Sequence, residues 1–187
     1  STIGDSENIV MKTPVSGENR SSYLLYDLDN DSVREAIVLY SDPIKDDLVY
    51  VTVFKFINDK WSFVSTIKGR SSEIYSVDFA DINGDGRFEI LMSWSQVISG
   101  DTFAPAGMGS NGEKLLTIYS YNGSSTTLLK NEAYSKLLVE DINNDSADEL
   151  FILNISFTNQ EKVTLGRVVA FDKEYSIEQE LKIQLTG

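Results

Sequence analysis

Residues 81–89, with the sequence DINGDGRFE, place oxygen-bearing side chains at alternate positions of a short loop. These side chains occupy positions 1, 3, 5 and 9 of the stretch and belong to Asp81, Asn83, Asp85 and Glu89. A hard cation such as Ca²⁺ takes roughly six to eight oxygen ligands, and alternate side chains of a tight loop can point inward together. Gly86 at position 6 supplies the backbone freedom that a sharp turn requires. The stretch therefore predicts a Ca²⁺-binding loop.

The same pattern occurs twice more in the chain. We call residues 27–35 (DLDNDSVRE) loop 1, residues 81–89 loop 2 and residues 141–149 (DINNDSADE) loop 3. At positions 1, 3, 5 and 9, loop 1 carries Asp27, Asp29, Asp31 and Glu35, and loop 3 carries Asp141, Asn143, Asp145 and Glu149. The interval between the first aspartates is nearly constant (81 − 27 = 54; 141 − 81 = 60), and such regular self-similarity is typical of repeat architectures.

Each loop also has an interpretation without metal. Aspartate and asparagine side chains accept backbone N–H groups in Asx turns, so the loops could be purely structural turns. The four carboxylates of loop 1 favour a cation, because without one they would repel one another. Ser32 and Ser146 stand where loop 2 has Gly86, which disfavours metal in loops 1 and 3. Where an ion binds, we expect its role to be structural and not catalytic.

The composition excludes several classes of function. The chain has 187 residues, enough for one well-packed domain, and a net charge of −13. Such acidity disfavours nucleic-acid binding, which needs a basic surface. The absence of His and Cys excludes cysteine nucleophiles, histidine general bases, ordinary zinc sites and disulfides. No apolar run approaches the length of a membrane span.

Strand patterns flank each loop. Residues 23–26 and 36–40 surround loop 1, and the apolar residues 90–92 follow loop 2 at once, so the loops join strands and not helices. A hairpin follows, as in residues 49–57 and 61–67. Four strands repeated three times predict an all-β, β-propeller-like fold of three four-stranded antiparallel blades. We place an extended lead-in with a short strand at 9–11 over residues 1–21, and the blades at 22–70, 71–132 and 133–187.

The second unit is longer than the other two. The interval from the first aspartate to the hairpin turn is the same in the first unit (58 − 27 = 31) and the third (172 − 141 = 31), but it is larger in the second (122 − 81 = 41). The surplus lies in the glycine-rich residues 95–114. We predict that this segment is the most mobile internal part of the chain and the preferred internal site of limited proteolysis.

Aromatic residues recur within the predicted strands. They could pack in a core between blades or form a platform for a ligand. Their place in β-branched, apolar runs favours the core, and the residues concerned are Tyr50, Phe54, Trp61, Phe63, Trp94 and Tyr119.

The loop pattern D-x-[DN]-x-D-[GS]-x-x-E before an apolar strand resembles the FG-GAP/VCBS repeats of bacterial surface proteins and of integrin heads. The resemblance covers roughly residues 22–187, with loop 2 as the good match and with serine in loops 1 and 3 where the family usually has glycine. It implies a β-propeller whose loops bind Ca²⁺. It also implies that the residue at position 7 adds its backbone carbonyl, a role that falls to Val33, Arg87 and Ala147.

These observations predict a non-enzymatic, calcium-binding module that acts as a binding or adhesion scaffold outside the cytoplasm. Weak calcium sites, with dissociation constants on the order of 10⁻⁴–10⁻³ M, suit extracellular calcium. The resemblance to bacterial VCBS-containing lipoproteins implies a secreted or surface-anchored protein, with a lipidated Cys ahead of Ser1, and a protein or glycan partner. The alternative is a polysaccharide-active enzyme or a carbohydrate-binding module built on a propeller, although a glycosidase needs two carboxylates facing a cleft.

Three blades are fewer than a closed ring usually has, which is about four to eight. We therefore expect exposed apolar residues on the two end blades, namely Tyr23, Leu25, Leu181 and Ile183. Apolar surface of this kind is normally covered. The covering could be further blades of a longer chain, which we favour, a second copy of the chain, or the lead-in folded across the gap.

Overall fold

The computed structural model describes residues 8–95, 113–158 and 161–186. The described residues form three antiparallel sheets and no helix, which confirms the predicted all-β, propeller-like fold. Because no helix is present in these ranges, none is available that is long and apolar enough to cross a membrane. The predicted insertion at residues 95–114 falls largely on residues 96–112, which lie outside the described ranges.

Each sheet contains four strands that follow one another in sequence order and pair antiparallel. We call the sheets blades 1, 2 and 3. Blade 1 is built from β2 (Tyr23–Tyr26), β3 (Glu35–Ser41), β4 (Val49–Ile57) and β5 (Lys60–Lys68). Blade 2 is built from β6 (Ile74–Ala80), β7 (Glu89–Trp94), β8 (Lys114–Tyr121) and β9 (Thr126–Tyr134). Blade 3 is built from β10 (Lys136–Glu140), β11 (Glu149–Thr158), β12 (Glu161–Phe171) and β13 (Ile177–Thr186).

The lead-in adds a fifth, short strand to the first sheet and then crosses to the second. This strand, β1 (Val10–Met11), pairs with the end of β3. Further along, the backbone N–H groups of Val15 and Ser16 donate to the carbonyls of Ile74 and Tyr75 in β6, at 3.2 and 2.8 Å. The lead-in therefore ties blade 1 to blade 2 along the free edge of β6.

Two apolar cores hold the blades together, one between blades 1 and 2 and one between blades 2 and 3. The middle blade is covered on both faces, so every residue of β7 is buried. The end blade is covered on one face only, so β3 alternates between buried and half-buried residues. This difference explains why the sequence of β7 is continuously apolar apart from Glu89 and Ser93, whereas the sequence EAIVLYS of β3 follows the strand period of two.

The outer faces of the end blades carry exposed apolar side chains, as expected. Tyr23 and Leu25 on blade 1 are 65% and 50% exposed, and Leu181 and Ile183 on blade 3 are 59% and 43% exposed. Strands β4 and β5 also place Trp61 and Phe63 on the outer face of blade 1, opposite Phe56 and Phe54.

The prediction that the strand aromatics pack in a core between blades is wrong for four of the six residues and correct for Trp94 and Tyr119. Trp61 and Phe63 are 50% and 52% exposed, because the face of blade 1 that carries them has no neighbouring blade. Trp94 and Tyr119 do lie in the core between blades 1 and 2. Tyr50 is buried outside both cores, where its ring stacks on Tyr40 at a centroid distance of 5.7 Å. Half-buried Phe54 contacts the ring of Phe63 edge to face.

Candidate metal-binding loops

Each acidic loop joins the first two strands of its blade. Loop 1 connects β2 to β3, loop 2 connects β6 to β7, and loop 3 connects β10 to β11. The backbone is left-handed at positions 4 and 6 of all three loops, with φ between 57° and 85° at Asn30, Ser32, Gly84, Gly86, Asn144 and Ser146. Serine at position 6 therefore keeps the turn that glycine makes in loop 2. An L-residue held in this region costs roughly 1–2 kcal/mol, a cost that glycine avoids.

The carboxylates of every loop accept backbone hydrogen bonds in one shared pattern. In loop 2, the two oxygens of Asp81 accept from the N–H groups of Asp85 and Gly86, at 3.1 and 2.8 Å. Asp85 Oδ1 accepts from the N–H of Arg87 at 2.8 Å, and Glu89 Oε2 accepts from the N–H of Ile82 at 3.1 Å.

Equivalent bonds fix the other two loops. The residues that donate to positions 1, 5 and 9 are Asp31, Ser32, Val33 and Leu28 in loop 1, and Asp145, Ser146, Ala147 and Ile142 in loop 3. The Asx-turn interpretation is thus correct as a description of the hydrogen bonding. It does not exclude metal, because a carboxylate has more acceptor positions than these bonds use.

The apolar residue at position 2 packs in the core between its own blade and the next blade, where a next blade is present. Leu28 of loop 1 and Ile82 of loop 2 are 0% and 1% exposed, in the cores shared with blades 2 and 3. Ile142 of loop 3 is 51% exposed. The equivalent side chain is therefore anchored in loops 1 and 2 and half in solvent in loop 3.

Loop 2 is the most enclosed of the three. Asp81, Asn83 and Glu89 are 8%, 4% and 0% exposed. The hairpin turn of blade 3 closes over them, because the Tyr175 hydroxyl donates to Glu89 Oε1 at 2.8 Å and Asn83 Nδ2 donates to the Lys173 carbonyl at 3.2 Å. Burial raises the pKa of Glu89 to about 7, against the stabilising hydrogen bonds from Tyr175 and Ile82.

Neighbouring loops are joined directly by backbone hydrogen bonds. The N–H of Phe88 in loop 2 donates to the carbonyl of Leu28 in loop 1 at 2.8 Å. The N–H of Asp148 in loop 3 donates to the carbonyl of Asp81 in loop 2 at 2.8 Å, and Asp148 Oδ2 accepts from the N–H of Asp81 at 3.0 Å. The three loops therefore form one continuous row along the blades.

Loop 1 differs from the others because a lysine lies among its carboxylates. Asp27, Asp29 and Glu35 offer oxygens within 4.8 Å of one another, and among the described residues no other acidic group of three is so close. The Nζ atom of Lys55, in β4, lies 2.5 Å from Asp29 Oδ2, 2.9 Å from Asp31 Oδ2 and 3.5 Å from Glu35 Oε1. Motif spacing does not find Lys55, because it comes from the next strand.

Loop 3 is the most exposed of the three loops, and its side chains hydrogen-bond within the loop. Asn143 Nδ2 donates to Asp145 Oδ2 and to Glu149 Oε1, both at 2.9 Å. Asn143 Oδ1 accepts from the N–H of Asp145 at 2.8 Å. In loop 3, Glu149 Oε1 thus accepts from Asn143 of the same loop. In loop 2, the equivalent Glu89 Oε1 accepts from Tyr175 in the turn of blade 3.

The donor set of loop 2 fits a hard cation. It offers carboxylate and amide oxygens at alternate positions, the chemistry that Ca²⁺ prefers. Its buried Glu89 has no ammonium or guanidinium partner among the ion pairs of the described residues. Loop 3 has the same residue types at positions 1, 3, 5 and 9. In loop 1 the Nζ atom of Lys55 lies among the carboxylates.

Comparison with known proteins adds one finding to this geometry. Residues 17–92 match the family model of the FG-GAP-like repeat. The match covers blade 1, loops 1 and 2 and the first strands of blade 2, and it supports the FG-GAP resemblance over that part of the chain. No curated protein and no solved structure matched the chain.

Proposed function

We propose that this chain is a non-enzymatic, calcium-stabilised module of the β-propeller type that acts as a binding scaffold outside the cytoplasm. The observation that carries the calcium part is the enclosure of loop 2, where Glu89 is fully buried without a basic partner among the described residues. A buried carboxylate without a counter-charge is unfavourable. A cation coordinated by Asp81, Asn83, Asp85 and Glu89 would remove that cost.

The expected strength of the sites supports a location outside the cytoplasm. We expect these loops to bind Ca²⁺ with dissociation constants on the order of 10⁻⁴–10⁻³ M, the range of calcium sites in extracellular modules. Such sites would fill at extracellular calcium concentrations. The resemblance to bacterial surface proteins supports the same location and a protein or glycan partner at the cell surface.

The scaffold role is supported by the outer face of blade 1. Tyr23, Leu25, Phe56, Trp61 and Phe63 are all at least 39% exposed, and register places them on one face of the sheet. Contiguous exposed apolar surface marks interaction sites. The acidic side chains of the loops, in contrast, accept hydrogen bonds from backbone N–H groups of their own loops, which favours a structural role over the catalytic role of paired carboxylates in a glycosidase.

The calcium part is tested by thermal unfolding in EDTA and in millimolar Ca²⁺. An ion that binds only the folded state raises the melting temperature by mass action. We expect Asp85→Ala to lose the part of this rise that loop 2 contributes, because Asp85 holds position 5 of that loop. Glu73→Ala removes one carboxylate outside the loops and should keep the rise. A wild-type melting temperature that does not respond to Ca²⁺ would refute the proposal.

A second candidate function, carbohydrate binding, is favoured by the same exposed aromatic rings. Phe56 and Trp61 meet edge to face at a centroid distance of 5.2 Å, and Trp61 is 50% exposed. Rings presented on one face can stack on sugars. Glycan-array binding that Trp61→Ala abolishes, without any cleavage of the glycan, would support this function over both the protein scaffold and a polysaccharide-active enzyme.

A further inference from the structure

Lys55 reaches the centre of loop 1 because of its place in the sheet. In the antiparallel β3–β4 ladder, Ala36 pairs with Phe54. The residue before Ala36 therefore lies opposite the residue after Phe54, which places Lys55 opposite Glu35. Residues directly opposite in an antiparallel pair have Cβ atoms about 4.5–5.5 Å apart. The ammonium group then meets three carboxylates, at 2.5 Å from Asp29, 2.9 Å from Asp31 and 3.5 Å from Glu35.

The Lys55 site is a built site and not a surface ion pair. The Lys55 side chain is 16% exposed, Asp29 is 13% exposed and Glu35 is 0% exposed. The ammonium group donates hydrogen bonds to Asp29 and Asp31 and forms an ion pair at 3.5 Å with Glu35 Oε1, a buried oxygen that has no hydrogen-bond partner. Glu35, buried at the base of loop 1, has in Lys55 the counter-charge that Glu89 of loop 2 lacks.

The other two blades show what the same position holds without a lysine. Ile90 pairs with Tyr119 in blade 2, and Leu150 pairs with Val169 in blade 3. The next residue along each ladder places Ser120 opposite Glu89 and Ala170 opposite Glu149. Neither Ser120 nor Ala170 carries a charge. Lysine at this position is therefore specific to loop 1.

The blade that carries the lysine also differs from the other two in the sequence of its loop. Position 3 is an aspartate, Asp29, in loop 1 and an asparagine in loops 2 and 3. Positions 1, 3, 5 and 9 thus sum to −4 in loop 1 and −3 in each other loop, and Lys55 brings the first to −4 + 1 = −3. The extra carboxylate and the extra ammonium group occur in the same blade, and they contact each other.

We propose that the ammonium group of Lys55 is the resident cation of loop 1, so that this loop folds without metal and calcium binding is restricted to loops 2 and 3. The number of occupied loops rests on the calcium binding of the proposed function, but the exclusion from loop 1 does not. Calcium–oxygen distances are about 2.3–2.6 Å, so Ca²⁺ and the ammonium group cannot occupy one site together. Lys55 is attached to β4 and competes at a high effective concentration.

The test is a count of bound Ca²⁺ by equilibrium dialysis at millimolar free calcium. We expect two ions per wild-type chain and three per Lys55→Met chain, because methionine keeps much of the side-chain volume without the charge. Lys68→Met is the matched control: Lys68 in β5 is 59% exposed and pairs with Asp46, away from the loops. It should leave the count at two. Adding Asp31→Ala to Lys55→Met should return the count from three to two, which assigns the gained ion to loop 1.

A second readout covers the case in which Lys55→Met folds poorly. In EDTA this variant leaves four carboxylates without a cation, so its melting temperature should fall below that of the wild type. Millimolar Ca²⁺ should restore it, and the calcium-induced rise should exceed that of the wild type, because three sites instead of two then stabilise the folded state. Lys55→Gln should behave in the same way as Lys55→Met.

The outcomes separate this inference from the proposed function. A wild-type chain that binds three ions, with Asp31→Ala removing one, refutes the Lys55 inference and leaves the calcium-binding proposal standing. A wild-type chain that binds none, with Lys55→Met binding one, supports the Lys55 inference and refutes calcium binding by loops 2 and 3. Equal counts and equal calcium-induced rises in wild type and both Lys55 variants overturn the inference.

Discussion

Replacing Ile82 by alanine removes a side chain that is 1% exposed and packed in the core between blades 2 and 3. The substitution removes three buried methyl or methylene groups, and the lost transfer free energy is about 2.4 kcal/mol at roughly 0.8 kcal/mol for each group. The cavity that remains adds to this, and measured Ile→Ala costs in cores are about 2–5 kcal/mol. For a chain of this size, each kcal/mol lowers the melting temperature by about 2–4 °C, so Ile82→Ala should lower it by roughly 4–20 °C.

Ile142→Ala makes the identical chemical change at the equivalent position of loop 3. Ile142 is 51% exposed, so about half of the transfer cost applies and no enclosed cavity forms, which gives roughly 1 kcal/mol. Its melting temperature should therefore fall by only about 2–4 °C.

Both variants should be unfolded by heat in EDTA, with circular dichroism as the signal, so that calcium binding does not enter the comparison. Leu28→Ala is a second buried case, since Leu28 is 0% exposed, and it should behave like Ile82→Ala. Equal losses for Ile82→Ala and Ile142→Ala would show that loop 3 is covered as fully as loop 2, which would refute the description of an open third loop.

The remaining predictions concern the loops themselves. Tyr175→Phe removes the hydroxyl that donates to Glu89 at 2.8 Å, and we expect a loss of about 1–3 kcal/mol in urea unfolding without metal; an unchanged free energy of unfolding would contradict this contact. Ser146→Gly relieves a residue with φ of 75° and should raise the free energy of unfolding by up to about 1 kcal/mol; a decrease would contradict the strain argument. Burial raises the pKa of Glu89 from its ordinary value of 4.5 to about 7. Glu89 therefore loses its proton at a lower pH in the unfolded chain than in the folded chain, and the metal-free protein should lose stability as the pH rises from 4.5 to 7. Glu89→Gln should flatten that slope in EDTA, and an unchanged slope would assign it to other groups.

The sequence was sufficient for the strands because their patterns are local. Residues 49–57 are rich in β-branched and aromatic side chains and form β4 with the predicted bounds. The turn at residues 58–59 separates β4 from β5 through left-handed backbone at Asn58 and Asp59. Period and turn chemistry depend on residues a few positions apart, so they can be read without knowledge of the neighbouring blades.

The surroundings of the loops could not be read in this way. Lys55, Tyr175 and Asp148 act on carboxylates or backbone groups of a loop from another strand or another blade. The exposure of Trp61 depends on whether a blade lies beside it, which its own strand does not encode. The predicted Ca²⁺ ligands of loop 1 show most clearly what the sequence pattern does not reveal. Their spacing equals that of loop 2, but Lys55 of β4 lies among them.

The lead-in has a consequence for the order in which the protein is made. The acceptor for Val15 is Ile74, which leaves the ribosome only after all four strands of blade 1 (74 − 15 = 59). At about 5–20 residues per second, the lead-in waits roughly 3–12 s for this partner. The strands of blade 1 can pair while the chain is growing, but the tie along β6 has to wait until the second blade has begun to emerge. The amide groups of Val15 and Ser16 therefore bond to β6 only after the whole of blade 1 has been made.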